Sequence, residues 1–74
     1  MPKLNPEKPR AVVQKLQRLG YEGPFGGGKH VFMRHPNSKL KIPVPIHQGR
    51  DLPTGTLRAI LRQAGISVEQ WLEL

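Results

Sequence analysis

The run Lys39-Leu40-Lys41-Ile42-Pro43-Val44 limits the possible folds more than any other stretch of the chain. Apolar residues fall at every second position, with lysine or proline between them. A period of two is that of an extended strand with one buried and one wet face. Leu40, Ile42 and Val44 are expected to point one way, and Lys39, Lys41 and Pro43 the other. A sheet with one wet face is an antiparallel sheet, and hairpins can join its strands. Pro36-Asn37-Ser38, dense in turn formers, reads as such a connection. Pro43 and Pro45 are expected to end the ladder.

The partner strand is predicted over His30 to Arg34 or His35. Alternation puts Val31 and Met33 on the core face, and His30, Phe32 and Arg34 on the wet face with Lys39 and Lys41. A short irregular strand is predicted from Tyr21 to Phe25, restricted by Pro24 to an edge or a bulge. Gly26, Gly27 and Gly28 are expected to make a flexible turn between them.

Helical spacing brackets these strands. Val12, Val13, Leu16 and Leu19 predict a helix from Pro9 to Leu19, with proline at its first position and Gly20 just past its end. Tyr21 is placed to fold back on Leu16. Leu57, Ile60, Leu61 and Ala64 predict a second helix from Pro53 or Thr54 to Ala64, with Asp51 and Thr54 as candidate caps. Gly65 follows it, and Ile66 can reach back to Leu61. Ser67-Val68-Glu69-Gln70 fits a capping box for a short last helix, docked by Val68, Trp71 and Leu72. Met1 to Glu7 has no periodic pattern and is expected to be a loose lead-in. The order α-β-β-β-α plus a short C-terminal helix defines an α+β fold, a three-stranded antiparallel sheet with helices on one face. At 74 residues, positions 1–74 are expected to form one small domain.

The charge balance bears on partners. Twelve lysines and arginines face five carboxylates, a net charge of +7. An anionic partner follows, nucleic acid first and an acidic protein second. No segment pairs a long basic face with a large apolar one, and no apolar run is long enough to span a bilayer, so no membrane partner is expected. The chain has no cysteine, which removes disulfides, thiolate catalysis and cysteine-bound zinc, and suits the cytoplasm.

Three histidines remain: His30, His35 and His47. His30 and His35 point to opposite faces of one strand, and no carboxylate pair stands near either. A metal or other cofactor is therefore not expected. Gly26-Gly27-Gly28-Lys29 lacks the following Ser or Thr and the helix of a phosphate loop. Proton transfer remains. Histidine titrates near ~6.5, and RNA brings its own nucleophile in the 2′-hydroxyl. His30 is the candidate catalyst, with Lys29, Arg34 and Lys41 as candidates for holding phosphate or stabilising its developing charge. Phe32 and Lys39 complete a cationic face suited to a phosphate backbone and a stacked base. A solvated surface histidine and a cross-strand packing phenylalanine are the plainer alternatives for His30 and Phe32. His35 before Pro36 is expected to serve the turn, and His47, in the loop before the second helix, is only a minor candidate for a secondary contact on the same surface.

Three segments resemble the HicA family of toxins. Leu19-Gly20-Tyr21 is similar to that family's helix ending. Gly28-Lys29-His30, followed by Arg34-His35-Pro36, is similar to its Gly-Ser-His and the strand ending in His-Pro. Leu52-Pro53-Thr54-Gly55-Thr56-Leu57-Arg58-Ala59-Ile60-Leu61-Arg62-Gln63-Ala64-Gly65-Ile66 resembles its Gly-Thr-Leu-Arg-x-Ile-Leu-x-x-Ala-Gly block. The resemblance implies a double-stranded-RNA-binding-like fold and a metal-independent endoribonuclease acting on mRNA. It also implies a HicB-type antitoxin held in a heteromeric complex. The family's catalytic histidine falls on His30. Lys29 stands where the family usually has serine, and Val31 where it has a second histidine. The competing expectation is an RNA-binding module of the same fold without catalysis.

Overall fold

A computed structural model of the chain describes residues 3–47 and 49–74. The elements follow the predicted order: helix α1 (Pro9–Arg18), strands β1 (Glu22–Gly27), β2 (His30–Arg34) and β3 (Lys41–Pro45), helix α2 (Thr54–Ala64) and the short helix α3 (Val68–Leu72). The strands form one antiparallel sheet in the order β1-β2-β3. Val31 and Met33 of β2 and Ile42 and Val44 of β3 bury their side chains with Val12 and Leu16 of α1 and Leu57, Ile60 and Leu61 of α2. Each such side chain contributes about 1.5–3 kcal/mol by leaving water. The helices cover one face and leave the other open, an α+β arrangement.

The C-terminal ends of α1 and α2 and the start of α3 form by the predicted devices. Gly20 takes φ +96°, and the N–H of Tyr21 reaches the Leu16 carbonyl at 3.0 Å while that of Gly20 reaches Gln17 at 3.0 Å. This is the Schellman pattern, and only a residue without Cβ takes that angle at little cost. The same pair of bonds closes α2 through Gly65 and Ile66. Ser67 and Gln70 make the reciprocal capping box that starts α3. Trp71 is fully buried there, but Leu72, expected to dock the helix, is 42% exposed.

Several expectations are corrected. Leu40 is 45% exposed and lies outside β3, so it does not join Ile42 and Val44 in the core. The connection from His35 runs on through Leu40, and Lys39 takes φ +61° within it. That left-handed residue breaks the alternation, and pairing starts at Lys41 opposite Arg34. Pro43 and Pro45 lie inside β3 and do not end it. The N–H of Ile46 bonds the Lys29 carbonyl at 2.9 Å. Alternation then turns the nitrogens of Pro45 and Pro43 away from β2, toward the outer edge where proline is tolerated. Gly26 and Gly27 belong to β1, and only Gly28 and Lys29 make the turn. Neither Asp51 nor Thr54 caps α2 through its side chain; Pro53 holds the N-cap position.

The lead-in expected to be loose is held from Leu4 onward. Leu4 is 2% exposed and packs with the core, as does Leu52 at 3%. The backbones of Glu7 and Leu52 exchange hydrogen bonds of 3.2 and 2.7 Å. The Glu7 carboxylate pairs with Lys15 Nζ at 3.0 Å and accepts a hydrogen bond from the Trp71 indole N–H. No helix among the described residues is long and apolar enough to cross a membrane.

Candidate active site

The register sorts the open face into three cross-strand rows. Gly27, His30 and Pro45 form the first, Phe25, Phe32 and Pro43 the second, and Glu22, Arg34 and Lys41 the third. Along β2 neighbouring rows are two residues apart, about 6.8 Å. On β1 a bulge between Glu22 and Phe25 inserts one extra residue, which keeps both side chains on this face.

His30 opens the first row and is exposed. The chain reverses just before it in two residues, with Gly28 at φ +70°. Among the described residues nothing hydrogen-bonds the His30 imidazole, so both ring nitrogens are accessible to a ligand. Lys29, also exposed, adjoins it in the turn, and the bond from Ile46 to the Lys29 carbonyl ties that turn to the end of β3.

The middle row is aromatic. The Phe25 and Phe32 ring centroids lie 5.5 Å apart, tilted by 36°. Lys41 Nζ stands 5.0 Å over the Phe32 ring, and the Arg34 guanidinium 5.7 Å over Phe25. Both cations thus lean over the rings and stop one row short of His30. Beyond them Glu22, Arg34, His35, Pro36, Lys39 and Lys41 line an open cleft of about 490 Å³.

Of the residues read from the sequence, Phe32, Arg34 and Lys41 come together as expected. Lys39 sits in the connecting loop, off the strand face, yet it returns to the same cleft. His30 and Lys29 form the opposite end. His35 serves its turn: Nδ1 accepts from the N–H groups of Asn37 at 3.2 Å and Ser38 at 3.5 Å. Its ring meets Tyr21 edge-on, with centroids 5.0 Å apart. His47 is exposed and lines a hollow that also includes Pro45, which pairs with His30. Phe25 escaped notice in the sequence. The signal was the hairpin centre: a two-residue turn at Gly28-Lys29 sets Phe25 directly opposite Phe32. Among the described residues no three of His, Cys, Asp and Glu gather where they could hold a metal ion.

A family model described as the HicA toxin of bacterial toxin–antitoxin systems matches residues 9–66. The chain belongs to the HicA toxin family. No curated protein matches it. The HicA match takes in α1, the whole sheet and α2, and so includes all three rows of the open face. It stops before α3 and begins after Glu7, so the Glu7–Trp71 contact joins two segments outside it. Membership makes this chain a toxin of the toxin–antitoxin type. HicA toxins are in general ribonucleases, with RNA as substrate and an antitoxin as partner.

Proposed function

We propose that this HicA toxin is a metal-independent endoribonuclease that cuts mRNA in the cytoplasm, with His30 transferring a proton at the scissile phosphate. The observation that carries this is an exposed histidine, without a hydrogen-bond partner among the described residues, next to Lys29 on an open cationic face. The 2′-oxygen forms a bond to phosphorus and the bond to the 5′-oxygen breaks. The products are a 2′,3′-cyclic phosphate and a 5′-hydroxyl. One proton leaves the 2′-hydroxyl and one reaches the 5′-oxygen. His30 takes part in one transfer, as base or acid, and solvent supplies the other. Lys29 faces the charge that builds on the phosphoryl oxygens. Arg34, Lys39, Lys41 and Phe32 bind the strand beyond. A HicB-type antitoxin silences the toxin by covering His30 and part of the cationic face.

The test is cleavage of RNA in EDTA by the purified chain and by His30→Ala, with the fold checked by circular dichroism. The substitution is expected to lower the rate by roughly 10²–10⁴-fold. Equal rates would remove His30 from the chemistry. Binding without cleavage by either protein would select the non-catalytic RNA-binding module.

A further inference from the structure

We infer that Phe25 and Phe32 form a two-ring platform on which unpaired bases of a single RNA strand stack, so that this toxin selects single-stranded over duplex RNA. The inference rests on RNA being the ligand of the open face, as proposed above, and it adds what part of RNA that face reads.

The first ground is placement. A hydrophobic core lies on the other side of the same sheet, yet these two rings sit on the charged face, with Phe25 38% exposed. No helix covers them, and the two-residue turn at Gly28-Lys29 is what sets Phe25 on this face directly opposite Phe32. Pro43, opposite Phe32, extends the apolar strip across β3. The second ground is the company the rings keep. Lys41 and Arg34 stand over them, and the cleft lined by Arg34, Lys39 and Lys41 lies immediately beyond. A strand running from His30 across the rings reaches cations suited to a phosphate other than the one being cut. The two cations over the rings are exposed side chains. Stacked bases can take their places, while the cations turn to the strand's own phosphates.

The third ground is the chemistry of the ligand. An A-form duplex keeps its base faces stacked within the helix and shows proteins its minor groove, its 2′-hydroxyls and its phosphates. Aromatic rings have little to stack on there. A single strand offers a π-face on every base, whatever its sequence. An aromatic pair flanked by cations therefore matches the single strand.

The test uses the full chain and a short 2′-O-methyl oligoribonucleotide, which cannot be cut, carrying 2-aminopurine as a fluorescent base. Wild type is expected to bind the single strand and quench the probe by stacking. Phe25→Leu and Phe32→Leu keep an apolar side chain and remove the ring. Each is expected to lose about fivefold to a hundredfold in affinity, together with the quench. The same sequence as a duplex is expected to bind more weakly and with no dependence on the rings. Equal affinity and quench in the leucine variants would overturn the platform and leave the ribonuclease proposal standing. Tighter, ring-dependent binding to the duplex would overturn it as well. Failure of wild type to bind any RNA would remove the platform and the ribonuclease proposal together, and binding to polyglutamate instead would point to an acidic protein. Loss of cleavage dependence on His30, with ring-dependent binding intact, would sink the catalytic proposal alone.

Discussion

Tyr21 shows how one residue ties the helix end to the hairpin beneath the site. Tyr21 is 7% exposed, and its ring closes edge-on against His35. Burial pushes its phenol up from the ordinary value of 10.0, because the phenolate would lose its hydration. The unfolded chain therefore gives up this proton first. Below the ordinary value the folded and unfolded states bind the same proton, and the contribution to stability is fully present. As pH rises beyond 10.0 the folded state gains progressively less from it. Tyr21→Phe has no such proton. The difference in urea midpoint between wild type and Tyr21→Phe is expected to stay constant up to that region and then shift against wild type. A flat difference throughout would show that the phenol feels no burial. Phe25 and Phe32 invite a comparison of magnitudes. A cation over an exposed ring is worth about 0.5–1 kcal/mol. A stacked base is worth about 1–3 kcal/mol, so on the proposed platform a base is expected to displace the cation from the ring face.

Strand β3 shows what could be read from the sequence and what could not. Ile42 and Val44 were legible because a period of two, once pairing has begun, leaves them only the core face. Leu40 obeys the same arithmetic and is nevertheless exposed, because periodicity does not mark where pairing begins. The left-handed turn at Lys39 decides that, and lysine carries no signature of a positive φ. The prolines misled for a related reason. They forbid a central strand, but not an outer strand whose nitrogens face away from its neighbour. The ends of α1 and α2 and the start of α3 were legible, since Gly20, Gly65 and the Ser67–Gln70 pair are local devices, whereas the start of α2 at Pro53 was not. Glu7 was not, because its partners Lys15, Leu52 and Trp71 are brought to it only by the tertiary fold. On the open face the places of His30, Phe32, Arg34 and Lys41 followed from alternation, that of Lys39 in the loop did not, and Phe25 needed the turn narrowed to Gly28 and Lys29. The distinction has a measurable form. Ile42→Ala is expected to cost about 2–5 kcal/mol, and Leu40→Ala no more than about 0.5 kcal/mol, by urea denaturation. Similar losses would place Leu40 in the core after all.

The whole molecule measures 35 × 31 × 16 Å, one layer of helices on one sheet. With a net charge of +7, its affinity for RNA must fall with salt. The slope in a log–log plot is expected to lose about 0.7 for each phosphate contact removed from a single strand. Arg34→Gln and Lys41→Gln should each flatten it by that amount, while Arg18→Gln, on the helical layer, should leave it unchanged. Fluorescence anisotropy across a salt series measures this. Equal slopes in all three variants would spread the binding charge over the entire surface. One more property follows from the outer rim of β3. Of its three outward-facing backbone nitrogens, those of Lys41, Pro43 and Pro45, only the first carries a hydrogen. A second molecule arriving strand against strand meets a rim short of donors, and no continuous ladder can grow across the two. A small protein with an uncovered sheet is thereby protected, on that side, from stacking edge to edge into fibrils.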